Sequence, residues 1–156
     1  MAVPGLNRPM RQITGFWRRD VCFGCNGMGV MQGFLLVGAG GALGAMARYA
    51  CGALIGRWLP MNFPLPTLLI NIIGSILMGV FIGLLGRFMP VQQAELRLFV
   101  AVGVLGGFTT FSSFSLDTVL LLERGALLEA GAYVLLSVVI CVIGLYLGLL
   151  MTRGVA

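Results

Sequence analysis

The sequence predicts an all-α integral membrane protein with four transmembrane helices, the third broken at its centre. Four long apolar segments are separated by short stretches that hold the prolines and much of the charge. With 59% of 156 residues hydrophobic and only 10% charged, the chain is too apolar for a soluble domain. One apolar segment also contains the run Gly106-Gly107-Phe108-Thr109-Thr110-Phe111-Ser112-Ser113-Phe114-Ser115. A membrane helix with only a structural task would carry Leu, Ile and Val there.

The chain reads as two parts. Residues 1–30 form an N-terminal extension containing Arg8, Arg11, Arg18, Arg19, Asp20, Pro4 and Pro9. It has no continuous apolar run of signal-peptide length. It is expected to be disordered or not native, because Met31 opens a clean apolar segment and would serve as a start. Cys22 and Cys25 make a lone C-x-x-C with no second ligand pair, which reads as chance rather than as a zinc or redox motif. Residues 31–156 form the four-helix membrane domain.

The spans are expected near residues 33–54, 67–85, 96–122 and 130–151, each close to the roughly 20 residues that cross a bilayer. Pro60, Pro64 and Pro66 mark the first loop, Pro90 the second, and Glu123-Arg124-Gly125 a tight third. Tyr49 and Trp58 are placed to anchor at the interface. Gly40 and Gly44, Gly79 and Gly83, Gly103 and Gly107, and Gly144 and Gly148 put one G-x-x-x-G in every span. Such pairs let helix backbones approach closely, within a chain or between copies of it.

The third span should break at its polar run. Two adjacent glycines weaken helix interior by roughly 1 kcal/mol each. Five hydroxyl residues follow within positions 109–115 and compete for backbone hydrogen bonds. In lipid, broken backbone is tolerated only where protein buries it or water reaches it. The stretch therefore reads as lining a pathway or holding an ion.

Charge gives little orientation. Outside the extension, Arg87, Arg97 and Arg153 fall on one side, and Arg57 and Arg124, with Arg48 if it reaches that interface, on the other. A chain with so small a positive-inside bias can insert both ways, which permits an antiparallel, dual-topology homodimer. The four arginines of the extension would oppose dual insertion if that segment is made. The net charge of +5 comes from arginines scattered over loops and termini, which is not the footprint of a nucleic-acid binder.

Several polar residues fall within spans. Arg48 and Asp117 are either functional charges or end-of-span residues that snorkel. Asn71 opens the second span and either offers its amide donors to a ligand or makes an interhelical hydrogen bond. Tyr133, Ser137 and Cys141 recur at i, i+4, i+8 on one face of the fourth span, as a polar track or as packing. Cys51, like Cys141, fits as a small apolar filler. With no histidine, no carboxylate pair and no base beside a cysteine, an enzyme is not expected. A small multidrug-type cation/proton antiporter is the alternative transport reading. It needs an embedded carboxylate, and the first two spans have none.

Three signatures resemble those of the Fluc/CrcB fluoride channels. They are Gly40-Gly41-Ala42-Leu43-Gly44-Ala45-Met46-Ala47-Arg48-Tyr49, Thr67-Leu68-Leu69-Ile70-Asn71-Ile72-Ile73-Gly74-Ser75, and the run from Gly106 to Ser115. The resemblance covers Met31 to about Arg153. It departs at Pro66, where glycine is usual, and at Ser113, where threonine is commoner. It implies a passive, fluoride-selective channel of the bacterial inner membrane, an antiparallel homodimer set in lipid with two pores. A central structural Na+ would be held by the carbonyls of Gly106 and Thr109. Phe111 and Phe114 would line the pore. Asn71, Thr110 and Ser112 would supply donors, and Tyr133, Ser137 and Arg48 would extend the route.

Overall fold

A computed structural model describes residues 29–58, 63–88 and 93–153. The cysteine pair Cys22 and Cys25, and the loop prolines Pro60 and Pro90, lie outside the described residues. The chain divides into two compact units, Met1–Leu35 and Leu36–Ala156, with the boundary inside the first helix. Of the first unit only residues 29–35 are described, and 30–35 are the opening turns of that helix. All packing reported below belongs to the second unit.

Every described element is helical: α1 (Val30–Trp58), α2 (Leu65–Phe88), α3 (Gln93–Leu96), a π-helical segment (Arg97–Leu105), α4 (Gly106–Phe108), α5 (Phe111–Glu123) and α6 (Leu127–Arg153). Four stretches are long and apolar enough to cross a membrane: Val30–Trp58, Leu65–Gly86, the composite Ala94–Glu123, and Leu127–Thr152. Tyr49 and Trp58 are each 81% exposed.

Pro66 corrects one expected boundary. It sits in the first turn of α2 rather than in the loop. Proline is tolerated there because first-turn N–H groups have no intrahelical acceptor and the ring's fixed φ suits a helix. The turn after α5 is as tight as the sequence implies. Gly125 adopts φ 74°, Gly125 N–H donates to Leu122 O at 2.9 Å, and Ala126 N–H donates to Leu121 O at 3.0 Å. This is a Schellman closure, and its left-handed residue favours glycine.

The four G-x-x-x-G pairs are used within the chain, two against two. Gly40 and Gly44 of α1 face the backbone at Phe99, Gly103, Val104 and Phe108, and Gly107 faces Gly41. Gly79 and Gly83 of α2 meet Leu145, Leu149 and Thr152 of α6, while Gly148 returns the contact at Ile76 and Val80. A Cβ at Gly148 would stand 2.5 Å from Ile76 O, and one at Gly44 would fall on the carbonyl of Val104. These are contacts with rigid backbone, so the helices would have to separate. Span one thus packs on span three, and span two packs extensively on span four.

The π-helical segment is unannounced by the sequence, since Arg97–Leu105 reads as ordinary apolar helix. Its widened turn persists to its end, where Gly106 N–H reaches both Ala101 O and Gly103 O. π-helical turns are rare and cluster at functional sites. This one leads directly into the break.

Candidate functional site: the break in the third span

The break is only two residues long. Gly106, Gly107 and Phe108 are still helical. Thr109 (φ −78°, ψ 157°) and Thr110 (φ −152°, ψ 120°) are extended, and helix resumes at Phe111. The ten-residue run marks the place, yet its glycines do not make the break. Gly107 serves the close approach of α1 instead. A short break leaves few backbone groups to satisfy inside a membrane.

Those groups are satisfied in a specific way. Asn71 of α2 accepts from Thr110 N–H through Oδ1 at 2.8 Å and donates from Nδ2 to Thr110 O at 3.0 Å. The amide therefore grips one peptide residue from both sides, the interhelical alternative named above. Thr110 in turn caps α5, its Oγ1 accepting from Ser113 N–H at 3.2 Å. The same hydroxyl donates to Ser113 Oγ at 3.2 Å and lies 3.1 Å from Ser112 Oγ. Thr109 Oγ1 folds back onto Leu105 O at 3.0 Å.

Two carbonyls lose their ordinary donors through this arrangement. In a continuous helix Thr110 N–H would reach Gly106 O, and Ser113 N–H would reach Thr109 O. Here the first goes to Asn71 and the second to Thr110 Oγ1. Gly106 is exposed, and Thr109 is half-buried. Among the described residues no group of three His, Cys, Asp or Glu side chains could hold a metal ion. Carbonyl oxygens released from helix bonding are the hard ligands that suit a small cation, so the residues fit sodium.

The rings form a ladder on the other side of the break. Phe111 and Phe114 have centroids 5.3 Å apart, and Phe114 and Tyr133 are again 5.3 Å apart. Phe111 is 77% exposed, Phe114 is half-buried and Tyr133 is fully buried. Phe63, absent from the sequence-derived candidates, meets Tyr133 edge-on at 5.6 Å. Tyr133 Oη donates to Asp117 Oδ2 at 3.3 Å. One turn further along α6, Ser137 is 6% exposed and its Oγ has no hydrogen-bond partner among the described residues.

Two cavities flank the start of α2. One, of about 310 Å³, is bordered by Arg48, Thr110 and Ser113, and the other, of about 290 Å³, by Phe63, Asp117 and Arg124. Pro66 and Thr67 line both and form the wall between them. Arg48 and Asp117 therefore face different spaces and do not pair. The structure brings Asn71, Gly106, Thr109, Thr110 and Ser112 to the break, and Phe111, Phe114, Tyr133 and Ser137 to the ladder beside it. Arg48 borders the cavity that it shares with Thr110 and Ser113 of the break. Sequence reasoning missed Gly74, where a Cβ would fall on Thr109 Cγ2 and lie 3.2 Å from Phe108 Cδ1. Its one sequence signal is its position one turn after Asn71.

Fold and site together define a small multi-pass membrane protein whose third span is interrupted at a polar, ring-lined seam. The family model described as "CrcB-like protein, Camphor Resistance (CrcB)" matches residues 35–149. A "Fluoride-specific ion channel FluC" of Rhodospirillum centenum is 52% identical over 123 residues, covering 79% of this chain and 97% of that protein. Proteins of the same name from Nitrobacter winogradskyi and Agrobacterium fabrum are 50% identical over 119 residues and 46% over 124. Those matches cover 76% and 80% of this chain, and 94% and 98% of the relatives. The chain belongs to the CrcB family.

Proposed function

We propose that the protein is a passive, fluoride-selective channel of the plasma membrane that exports fluoride from the cytoplasm. It works as an antiparallel homodimer in lipid, with a structural sodium ion held by Gly106 and Thr109 carbonyls. The observation that carries this reading is the break itself, with released carbonyls on one side and a ring ladder on the other. The relatives' name supplies the ion.

The chemistry is that of an anion that must be stripped of water without being trapped. An aromatic ring is positive at its edge. Ring edges of Phe111 and Phe114 can meet fluoride more weakly than a full charge would. Asn71 keeps one N–H beyond the two bonds it makes to Thr110, and the exposed Ser112 hydroxyl adds another donor. Tyr133 and the unpartnered Ser137 hydroxyl continue the polar line along α6. Arg48 borders the cavity next to Thr110, where its charge would draw anions to the entrance. Held by the Gly106 and Thr109 carbonyls, sodium would supply a fixed positive charge at the break.

A passive route suffices for export. Hydrogen fluoride enters as a neutral acid and dissociates in a more alkaline cytoplasm, and an inside-negative potential drives the anion out with about 2.3 kcal/mol per 100 mV. An antiporter has no support here. Asp117, the one carboxylate well inside a span, is engaged by Tyr133, and the family relatives are named as channels.

The test is fluoride efflux from liposomes holding the purified protein, followed with a fluoride electrode and with chloride measured beside it. Efflux should require an electrical shunt such as valinomycin with potassium. Efflux driven by a proton gradient, or equal chloride flux, rules the channel out.

A further inference from the structure

The Asn71 amide uses its oxygen on Thr110 N–H and one of its N–H groups on Thr110 O. The first bond removes the donor that a helix would give to Gly106 O. The second holds the next peptide, between Thr110 and Phe111, by its carbonyl. One turn along, Gly74 seats Thr109, because any side chain there would occupy the place of Thr109 Cγ2. Two residues of α2 therefore decide how the two carbonyl-bearing residues of the break are presented.

We propose that Asn71 is a positioning residue for the sodium site, keeping the Gly106 carbonyl free by taking the Thr110 N–H away from it. The inference rests on the sodium reading given above. Without the Asn71 oxygen, Thr110 N–H falls back on Gly106 O, the break shortens, and one carbonyl per chain leaves the ion. The amide thus couples the anion route to the cation site through a single residue, Thr110.

The experiment measures the melting temperature of the purified full-length protein as sodium replaces N-methyl-glucamine at constant ionic strength. A ligand that binds only the folded state raises stability by mass action, so the dependence on sodium reports its affinity. Three variants are compared with the wild type. Asn71→Leu and Asn71→Ser lose both bonds to Thr110. Asn71→Asp keeps an acceptor for Thr110 N–H and gives up the donor. Leu and Ser should raise the sodium concentration needed for a given stabilisation by about tenfold or more, equivalent to about 1.4 kcal/mol. Asp should stay within about threefold of wild type, while its fluoride efflux falls because a carboxylate stands beside an anion path.

Leu or Ser with the wild-type sodium response, whatever their fluoride efflux, overturns the proposal and leaves Asn71 as a direct anion ligand. Asp losing the response as fully as Leu also overturns it, since the retained acceptor then does not matter. If Leu and Ser do not fold, Asp alone still decides: loss of the sodium response overturns the proposal, and a response within about threefold of wild type upholds it. A wild-type protein that melts identically in sodium and N-methyl-glucamine defeats the sodium reading itself, an outcome separable from either of these.

Discussion

A Cβ at Gly106 would meet nothing nearer than Ala101 O, 3.5 Å away. The protomer therefore has room for a methyl group, and a severe effect of adding one must come from outside the protomer. Gly106→Ala is expected to insert and keep its helical content by circular dichroism. It should lose sodium-dependent melting and the dimer peak in size exclusion, because two backbones converge there in the proposed assembly. Thr109→Ser retains the carbonyl and should keep both. The rings make a second residue-scale case. Phe111→Ile and Phe114→Ile preserve bulk but remove the ring edge, so fluoride efflux should fall at least about tenfold, equivalent to ~1.4 kcal/mol, in dimers that remain folded. Normal conduction by both would make the rings packing residues. At this scale the sequence revealed the site through its density of hydroxyls and rings. It did not reveal which backbone groups they serve, because Asn71 lies 39 positions from Thr110 and only the fold brings them together.

At the scale of elements, α5 starts where it does because Thr110 caps it. Thr110→Val keeps the shape and removes the acceptor for Ser113 N–H. Losing an N-cap costs about 1 kcal/mol. The cost should appear as a lower melting temperature in detergent, together with a weaker sodium response, since Ser113 N–H can then return to Thr109 O. The four spans and the tight turn at Gly125 were legible because membrane length and left-handed turns leave strong marks on composition. The π-helical segment was not, because i→i+5 bonding imposes no residue pattern of its own. The break was placed correctly but drawn too long. Gly106 and Gly107 argue locally against helix, yet both remain helical, and Gly107 packs on α1 at Gly41 and Ala45.

At the scale of the molecule, only 11% to 33% of the residues in an 18-residue apolar window of each span are buried within the protomer. The others are at least partly open to the surroundings. Cysteine placed at the C-terminus of a protein beginning at Met31 should be labelled from both sides of the membrane if the dimer is antiparallel. Labelling from one side only refutes dual topology. The four glycine pairs were legible as close-contact faces, but which helix each would meet was not. A G-x-x-x-G motif carries no address.

That pairing, one with three and two with four, bears on how the protein is made. No span finds its glycine partner in the span synthesised just before it. α1 must wait in the bilayer, its small-residue face against acyl chains, while α2 is threaded and the third span emerges. α2 then waits for α6, the last to leave the ribosome. The chain is therefore assembled largely after insertion, by lateral sorting of helices already in lipid. A cut between residues 88 and 93 separates both pairs at once. Each half expressed alone should be degraded, having no partner for its glycines. The two halves produced together should recover fluoride efflux, since the sorting step needs the helices and not the loop that joins them.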